Sequence, residues 1–246
     1  MVSLGIVELS FVIPAYNEES YIEDTLGNLE TMAKDEQIEY EIVVVDDGSK
    51  DNTFNKASQY AKSSGHNVKV IHYPKNAGKG YAVKTGFMQA KGDIVIFIDS
   101  DMDIDLNIIS SYIEALKDAD IAIATKCHPD SSVKMTFERR IMSRTFNVLF
   151  RILVGLNLKD TQVGLKAMRK NAFNNIFPRL AVKRFAFDVE LLAVANLYGL
   201  KITEMPVKMK LASSFKTKEI WRMFVDLLGI AYRLRVIRWY QRQKIN

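Results

Sequence analysis

Short apolar runs that end in carboxylates constrain the fold of this chain more than any other feature. Residues 41–47 read EIVVVDD and residues 93–99 read DIVIFID. Because these runs are short and have no polar alternation, they predict strands that are buried on both faces of a sheet. Three similar runs alternate with helical stretches: the runs are 7–13, 68–73 and 121–125, and the stretches start near Glu18, Asp51, Gly78 and Asp105. This alternation predicts an α/β fold with a mostly parallel central sheet and helices on both faces.

The second half of the chain is interpreted as part of the same domain. No Gly-, Ser- or Pro-rich linker divides the 246 residues, and α/β domains of this length are common. Helices are expected at 137–153, at 187–198 and from about Lys218, with strands at 162–168 and 201–209. We predict one domain over residues 1–246, made of a first half (1–125), a second half (126–216) and a final helical segment (217–246).

Charge is distributed unevenly between the two halves. Residues 1–125 contain 10 Lys and Arg against 21 Asp and Glu, whereas residues 126–246 contain 24 against 8. The first half is therefore suited to holding a cation, and the second to binding anions or an anionic surface. The single cysteine, Cys127, excludes an intrachain disulfide and is consistent with a reducing compartment.

The sequence does not predict a membrane-spanning helix. No run of about 18 apolar residues occurs, and the N-terminus lacks a basic region and has Glu8 inside its apolar stretch, which is atypical of a signal peptide. Any contact with a membrane is expected to be interfacial and peripheral.

Three acids alternate after the apolar run that ends at Ile98: Asp99, Asp101 and Asp103. Carboxylates this close repel one another unless a cation lies between them. Mg²⁺ and Mn²⁺ take one or two carboxylates and complete their shell with phosphate oxygens and water. The pattern fits a metal-bound nucleoside diphosphate, although Asp103 or Asp105 is also suited to capping a helix.

Two other loops are expected beside these acids if their strands are neighbours. They are residues 14–19, PAYNEE, and residues 46–49, DDGS. An aromatic ring on a base, with carboxylates accepting from the base edge and a ribose hydroxyl, would account for Tyr16, Glu18 and Asp47.

Parts of these loops also have an ordinary structural explanation. Asn17 followed by two Glu residues is typical of a helix N-terminus. Residues 76–80, NAGKG, place Lys79 at a helix start where it could reach a diphosphate. They do not form a P-loop, however, so Lys79 is a minor candidate.

The helix expected at 137–153 is amphipathic. Arg140, Arg144, Asn147 and Arg151 share one stripe, opposite an apolar side made of Ile141, Met142, Leu149, Ile152 and Leu153. Such a helix suits an interface where lipid tails meet phosphates. An ordinary surface helix of a globular protein has the same pattern.

The final helix combines aromatic and basic residues, which favours the headgroup zone of a membrane. Its members are Trp221, Phe224, Leu227, Leu228, Tyr232, Trp239 and Tyr240 among Arg222, Arg233, Arg235, Arg238, Arg242 and Lys244. Packing in a homo-oligomer, or against a membrane subunit, is the main alternative. Nucleic acid is not expected as a partner, because these residues form no RNA- or DNA-binding module.

The chain resembles glycosyltransferase family 2. The segments that carry the resemblance are VIPAYNEE (12–19), EIVVVDDGS (41–49), FIDSDMD (97–103), DTQVGLK (160–166), FAFDVELL (185–192) and EMPV (204–207). The match covers about residues 7–216 and most resembles the branch that transfers glucose or mannose to polyprenyl (dolichyl) phosphate. The resemblance implies a GT-A fold, a nucleotide sugar and a divalent metal, Mg²⁺ or Mn²⁺.

The resemblance also implies roles for individual residues in the nucleotide-sugar site. Those implied around the base and ribose are Pro14, Tyr16, Glu18, Val45 and Asp47. Asp99 and Asp101 would serve the metal and the diphosphate, and Ser100 would line the same loop. Asp103 stands where mannosyl relatives often have Gln, which leaves the third metal ligand open. Lys126 stands where relatives often have Arg for a phosphate.

On the acceptor side, the resemblance implies that Arg139 and Ser143 bind the acceptor phosphate. Arg140 and Arg144 lie on the same helix, and an Arg fork matches phosphate oxygens. Lys216 belongs to a loop, LASSFK, that departs from the usual Gly-Ser-Lys pattern.

The chemistry depends on the acceptor. The oxygen of a lipid phosphate is already anionic, so no strong base is needed. The predicted catalytic residues are then Asp101, Arg139, Ser143 and Asp188. A hydroxyl acceptor would need a base, for which Asp188 or Glu190 is the candidate, although acids near a helix N-terminus, and likewise Asp160, can be structural.

These observations predict an inverting, metal-dependent glycosyltransferase. It would move glucose or mannose from UDP or GDP to dolichyl or polyprenyl phosphate at the cytoplasmic face of a membrane, as in protein glycosylation. The alternatives are a family 2 transferase acting on a polysaccharide or a soluble hydroxyl, and a non-catalytic subunit that binds nucleotide sugar.

Overall fold

The structure is a computed structural model that describes residues 9–64, 67–101, 104–184, 186–210 and 217–242. Within these ranges the strands are β1 (Leu9–Ala15), β2 (Tyr40–Asp46), β3 (Val68–His72), β4 (Ile94–Ile98), β5 (Ile121–Thr125), β6 (Ser132–Lys134), β7 (Leu165–Arg169), β8 (Ile202–Pro206) and β9 (Lys208–Lys210). The helices are α1 (Ile22–Asp35), α2 (Thr53–Ser63), α3 (Lys79–Gln89), α4 (Ile109–Ala115), α5 (Phe137–Val154), α6 (Lys170–Phe173), α7 (Phe187–Leu197), α8 (Thr217–Ala231) and α9 (Trp239–Arg242).

The described strands form a main sheet in the order β3-β2-β1-β4-β7-β5-β8 and a separate pair, β6 and β9. β1 is parallel to β2 and β4, β2 is parallel to β3, and β5 is parallel to β8. β7 runs antiparallel to both β4 and β5. The strand order reverses at β1, which has β2 on one side and β4 on the other. Open α/β sheets bind ligands at such a switch point, beyond the carboxyl ends of the strands.

Both faces of the sheet are covered, which explains the continuous apolar runs. In β2, Val43 and Val45 pack into the core on the face covered by α3, α5 and α7. Ile42 and Val44 pack into the core on the other face, with residues of α1, α2 and α4. Alternate side chains therefore enter opposite cores, and no position on the strand can be polar without cost. The predicted α/β fold with a mostly parallel sheet and flanking helices is confirmed.

The start of α1 differs from the expected position. The helix begins at Ile22, because the preceding residues hydrogen-bond to the loop after β2. Asn17 has a left-handed backbone (φ 58°). Its amide donates to Ser49 Oγ at 2.9 Å, and its Oδ1 accepts from the Lys50 amide at 2.8 Å. The predicted capping role of Asn17 is therefore wrong, since its side chain joins two loops.

The C-terminal segment is not one long helix. After α8 the chain forms a π-helix at Tyr232–Val236, turns at Arg238 (φ 49°) and re-enters the protein through α9. We call residues 232–242 the C-terminal hook. Tyr240 at its end is fully buried, which shows that part of the predicted membrane-facing aromatic set belongs to the core.

In the parts of the chain that the structure describes, no helix is both long enough and apolar enough to cross a membrane.

Candidate active site

Asp99 lies at the carboxyl end of β4, beside the switch point of the sheet. Its amide donates to the carbonyl of Gly164 at 3.0 Å. A Cβ at Gly164 would lie only 1.9 Å from Asp99 Oδ2, so the carboxylate is packed directly over a glycine. The side chain of Asp99 is 32% exposed. It is therefore held in one place but open to a ligand.

Lys79, the first residue of α3, is paired with this carboxylate. Its Nζ lies 2.6 Å from Oδ1 and 2.8 Å from Oδ2 of Asp99. Burial alone would lower the pKa of Lys79, but the charges of Asp99, Asp188 and Asp101 outweigh it and raise this pKa above its ordinary value. The structure thus brings the three predicted site acids around one ammonium. Sequence reasoning ranked Lys79 as a minor candidate, because its loop is not a P-loop.

Asp188 contacts a second lysine, which the sequence reasoning did not select. Lys166 on β7 is 2% exposed, and its Nζ lies 2.8 Å from Asp188 Oδ1 and 2.8 Å from the carbonyl of Val163. A buried ammonium requires such partners. The only sequence signal was a lysine inside an otherwise apolar strand. Asp188 therefore balances a buried charge, and its carboxylate is not available as an unpaired base.

Asp47 anchors the loop before α3. Its carboxylate accepts from the amide of Ala77 at 2.7 Å and from the amide of Gly78 at 2.8 Å. Burial raises the pKa of Asp47 against the opposing effect of these amides. Gly78 has φ 105°, and a Cβ there would lie 2.3 Å from the carbonyl oxygen of Lys183. Both oxygens of Asp47 bind the backbone that positions Lys79, and the contact of Asp47 with a nucleotide stays a prediction.

Two more residues predicted to line the site are buried. Val45 has no exposed surface and packs in the core. Ser100 is 4% exposed; its hydroxyl donates to the carbonyl of Pro14 at 3.3 Å. Both side chains therefore have structural contacts, and their places in the nucleotide-sugar site stay predictions. Tyr16 is exposed at this edge of the sheet and Glu18 is partly exposed, as expected for residues that meet a ligand.

Lys126 is paired with Asp160. The Lys126 Nζ lies 2.6 Å from Asp160 Oδ2, and the Asp160 carboxylate also accepts from the amides of Lys126 at 3.2 Å and Gln162 at 3.1 Å. Asp160 is fully buried and Lys126 is 11% exposed. Asp160 therefore has a structural role, and Lys126 can meet a phosphate only at its small exposed surface.

The faces of α5 differ from those expected. Asn147, assigned to the polar stripe, is buried, whereas Arg140, Arg144 and Arg151 are exposed. The apolar residues divide into two groups: Phe146, Leu149, Phe150, Leu153 and Val154 pack on the core, and Phe137, Ile141, Met142, Val148 and Ile152 are exposed. The helix has more apolar residues than the core can cover, so an apolar stripe remains on its outer side.

Some predicted acceptor-side and metal residues lie outside the described part of the chain. They are Asp103 and Lys216, together with the side chain of Arg139, whose backbone lies in α5. Ser143 on α5 is half-buried.

Glu190 on α7 is part of a buried network. Its carboxylate accepts from the amides of Ala181 at 2.9 Å and Val182 at 2.8 Å, and from the hydroxyl of Tyr240. Arg233 Nη2 lies 3.5 Å from Glu190 Oε1. Burial raises the pKa of Glu190, and no surface of the residue is exposed. Glu190 therefore connects the C-terminal hook to the loop before α7 and is not accessible as a base.

No cluster of three or more His, Cys, Asp or Glu side chains suited to a metal ion occurs among the residues that the structure covers. The donor set nevertheless fits a hard divalent ion that takes one or two carboxylates and relies on phosphate oxygens for the rest. The ammonium against Asp99 already occupies the position of a cation.

The architecture is that of the GT-A glycosyltransferases, as predicted. The structure matches glucosyl-3-phosphoglycerate synthase from Mycobacterium tuberculosis, solved in complex with Mn²⁺ and uridine-diphosphate-glucose. The TM-score is 0.69 at 19% identity, over 92% of this chain and 78% of that one. At this identity the likeness establishes the fold alone.

Residues 10–177 match the family described as Glycosyl transferase family 2. The chain belongs to this family and is therefore a glycosyltransferase, which confirms the resemblance. It is 34% identical over 247 residues to dolichyl-phosphate beta-glucosyltransferase ALG5D of Trichomonas vaginalis, covering 94% of this chain and 75% of that protein. It is 32% identical over 259 residues to dolichyl-phosphate beta-glucosyltransferase of Homo sapiens, covering 97% of this chain and 80% of that protein.

Proposed function

We propose that this enzyme transfers glucose from UDP-glucose to dolichyl or polyprenyl phosphate, with inversion at the anomeric carbon. The observation that carries the proposal is the group of Asp99, Asp101 and Lys79 at the switch point of the sheet. Carboxylates for a metal and a cation for a diphosphate meet there at a helix start. The names of the relatives favour glucose over mannose and a dolichyl phosphate acceptor, and the fold neighbour with UDP-glucose favours UDP over GDP.

Asp99 and Asp101 are the proposed protein ligands of Mg²⁺ or Mn²⁺, with Asp103 as a candidate third ligand. Pro14, Tyr16 and Glu18 are proposed to line the base and ribose. Crystals of the fold neighbour with Mn²⁺ support a divalent ion. When bound, the ion would supply positive charge that stabilises the nucleoside diphosphate leaving group.

The acceptor supplies its own nucleophile. An anionic phosphate oxygen attacks the anomeric carbon in line, and the bond from that carbon to the diphosphate oxygen breaks, so one displacement inverts the configuration. The acids that a hydroxyl acceptor would need as a base are engaged: Asp188 pairs with Lys166, and Glu190 is buried. This supports a phosphate acceptor. Arg139, Arg140, Ser143 and Arg144 of α5 are its proposed binding residues.

A lipid surface on the cytoplasmic side of a membrane is the proposed location of transfer. α5 and α8 contact each other, and each has exposed apolar residues, which on α8 and the hook are Trp221, Val225, Leu228, Tyr232 and Val236. These five recur at helical spacing and form one stripe. Arginines flank both stripes, as expected for a helix that lies among anionic headgroups.

The proposal is tested with purified enzyme, Mn²⁺ or Mg²⁺, a panel of UDP- and GDP-sugars, and either short polyprenyl phosphates or simple alcohols. We expect lipid-linked glucose from UDP-glucose and polyprenyl phosphate, and no product in EDTA. Asp101→Ala should lower kcat about 100-fold or more, whereas Asp118→Ala, which removes an exposed acid far from the site, should not. Wild-type turnover in EDTA, or a preference for alcohols, would contradict the proposal.

A further inference from the structure

Two neighbouring charges in the site differ in their freedom to move. Asp99 is confined, because its carboxylate packs over Gly164 and its amide bonds the carbonyl of that residue. Lys79 has a fixed backbone but a long side chain with four rotatable bonds. The backbone of Lys79 is held on both sides. The Asp47 carboxylate binds the amides of Ala77 and Gly78 before it. After it, Gly80 packs so closely on Phe187 that a Cβ at Gly80 would lie 2.4 Å from the Phe187 Cβ.

We propose that Lys79 is an exchangeable counter-ion of Asp99, which competes with the divalent metal and is released when a diphosphate binds. The inference deepens the proposed function and rests on it. The ammonium contacts both oxygens of Asp99, so a metal that takes both oxygens has to displace it, and one that takes a single oxygen meets its repulsion. The exchange requires no movement of the backbone.

A diphosphate provides the partner that Lys79 needs after release. Lys79 is the first residue of α3, an 11-residue helix, whose N-terminal amides and dipole favour an anion at the same place. Within the described part of the chain, Asp99, Asp101 and Asp188 act on Lys79, and Lys166 pairs with Asp188. Adding a divalent metal together with the doubly charged diphosphate of a nucleotide sugar leaves the net charge of this group unchanged, whereas adding the metal alone takes from Lys79 the carboxylate that it contacts.

The consequence is a coupling between metal and diphosphate beyond that from direct coordination. Lys79 weakens metal binding in the empty site and strengthens it once a diphosphate is present. By linkage, the metal strengthens diphosphate binding by the same factor. The enzyme would then hold little metal until its donor arrives.

The test measures the dissociation constant of Mn²⁺ by electron paramagnetic resonance, without and with saturating UDP, on the full chain. Wild type should bind Mn²⁺ weakly alone and at least about tenfold more tightly with UDP, within the usual range of such couplings. Lys79→Met should bind Mn²⁺ alone about tenfold more tightly than wild type and should lose most of the coupling. A gain of affinity cannot result from misfolding.

Two further variants keep the outcome decisive. Lys69→Met removes an exposed lysine whose Nζ bonds the Gln89 side chain, and it should behave as wild type. Lys79→Arg retains the charge, so its Mn²⁺ affinity without UDP should stay within about threefold of wild type. If Lys79→Met raises Mn²⁺ affinity equally with and without UDP, or not at all, Lys79 is a bystander charge and the inference fails. If wild type binds no Mn²⁺ even with UDP, the proposed function itself fails.

Discussion

Lys166 is the most consequential single residue that the sequence pattern did not select. It lies on β7 between β4 and β5, where it is paired with Phe97 of β4 and with Ile123 of β5. Its side chain is almost completely buried. A buried ion pair adds little net stability, but loss of one partner leaves an uncompensated charge. Asp188 therefore contributes to folding as well as to the site.

We expect Asp188→Asn and Lys166→Met each to lower the free energy of unfolding by about 3–5 kcal/mol. The double variant should recover most of that loss, because no charge is then left unpaired. Urea denaturation measures all three values. Additive losses in the double variant would show that the two residues act independently. A stable but inactive double variant would show that the pair also takes part in transfer.

Gly164 is the residue that allows Asp99 its position. Gly164→Ala should displace the Asp99 carboxylate, with a cost in stability of about 1–3 kcal/mol and a loss of both transfer and Mn²⁺ binding. Gly27→Ala, within α1, is the matched control, since the nearest atom to its Cβ would be the Tyr60 hydroxyl oxygen, 3.8 Å away. It should be neutral or stabilising by up to about 1 kcal/mol. Equal effects of the two variants on Mn²⁺ affinity would contradict this account.

Site residues were predictable where the sequence places a polar side chain directly after a strand. Asp99 and Tyr16 follow β4 and β1, and both lie at the expected edge of the sheet. The contacts of Val45 and Asp47 were not predictable, because strand position does not say which face of the sheet a side chain enters or which backbone amides it meets. Those contacts involve residues about 30 positions away, as in the bonds from Ala77 and Gly78 to Asp47.

At the scale of elements, a buried hydrogen-bonded cluster helps to hold the C-terminal hook. Tyr240 donates to Glu190, and its own hydroxyl accepts from Arg233 Nε at 3.0 Å. Its backbone carbonyl accepts from the hydroxyl of Tyr198 at 3.0 Å. Glu190 also accepts hydrogen bonds from the amides of Ala181 and Val182. The next residue of that loop, Lys183, packs with its carbonyl against Gly78, just before α3. The hook therefore supports the loop next to the active site.

Tyr240→Phe should lower the free energy of unfolding by about 1–3 kcal/mol, because Glu190 loses a donor while remaining buried. Tyr232→Phe is the matched control, since Tyr232 lies on the same segment but is 53% exposed and should change stability little. Thermal or urea unfolding of both variants measures this. Equal stability of the two variants would mean that the hook is not held by this bond.

The raised pKa of Glu190 has a pH dependence of defined sign. Below about pH 4.3, the ordinary pKa of Glu, both the folded and the unfolded states are protonated and burial costs least. As pH rises above that value the unfolded state loses its proton first, so the contribution of Glu190 to stability decreases until the folded pKa is passed. Glu190→Gln should therefore be most destabilising near pH 4 and less so near neutrality. The opposite trend in urea denaturation would refute the assignment.

Helix α5 illustrates what periodicity does and does not determine. Its apolar residues recur at helical spacing, and the helix spans Phe137–Val154 close to the predicted bounds. The spacing predicted one apolar side, but only the packing against the core decided that Leu149 and Leu153 face inward while Ile141 and Ile152 face out.

For the whole molecule, the exposed stripes of α5 and α8 predict binding to anionic vesicles. The variant Ile152→Asp with Trp221→Asp should bind vesicles of anionic lipid at least about tenfold more weakly, because two large apolar side chains no longer leave water. Met88→Asp, at an exposed position on α3, is the control. Binding is measured by co-sedimentation and should weaken as salt increases. Unchanged binding of the double variant would contradict a membrane role for these stripes.

The sequence by itself determined the α/β class, the mostly parallel sheet, the family and the sheet edge that carries the acids. These follow from local patterns, since the period of apolar residues and the residues after each strand are written along the chain. Only the tertiary structure decided which polar and charged side chains meet. The pairs are Lys79 with Asp99, Lys166 with Asp188, Lys126 with Asp160, and Tyr240 with Glu190. All four of these pairs join residues 20 to 50 positions apart. The reason is physical: strand order, the direction of β7 and the turn at Arg238 arise from packing of distant segments, and no local pattern encodes them.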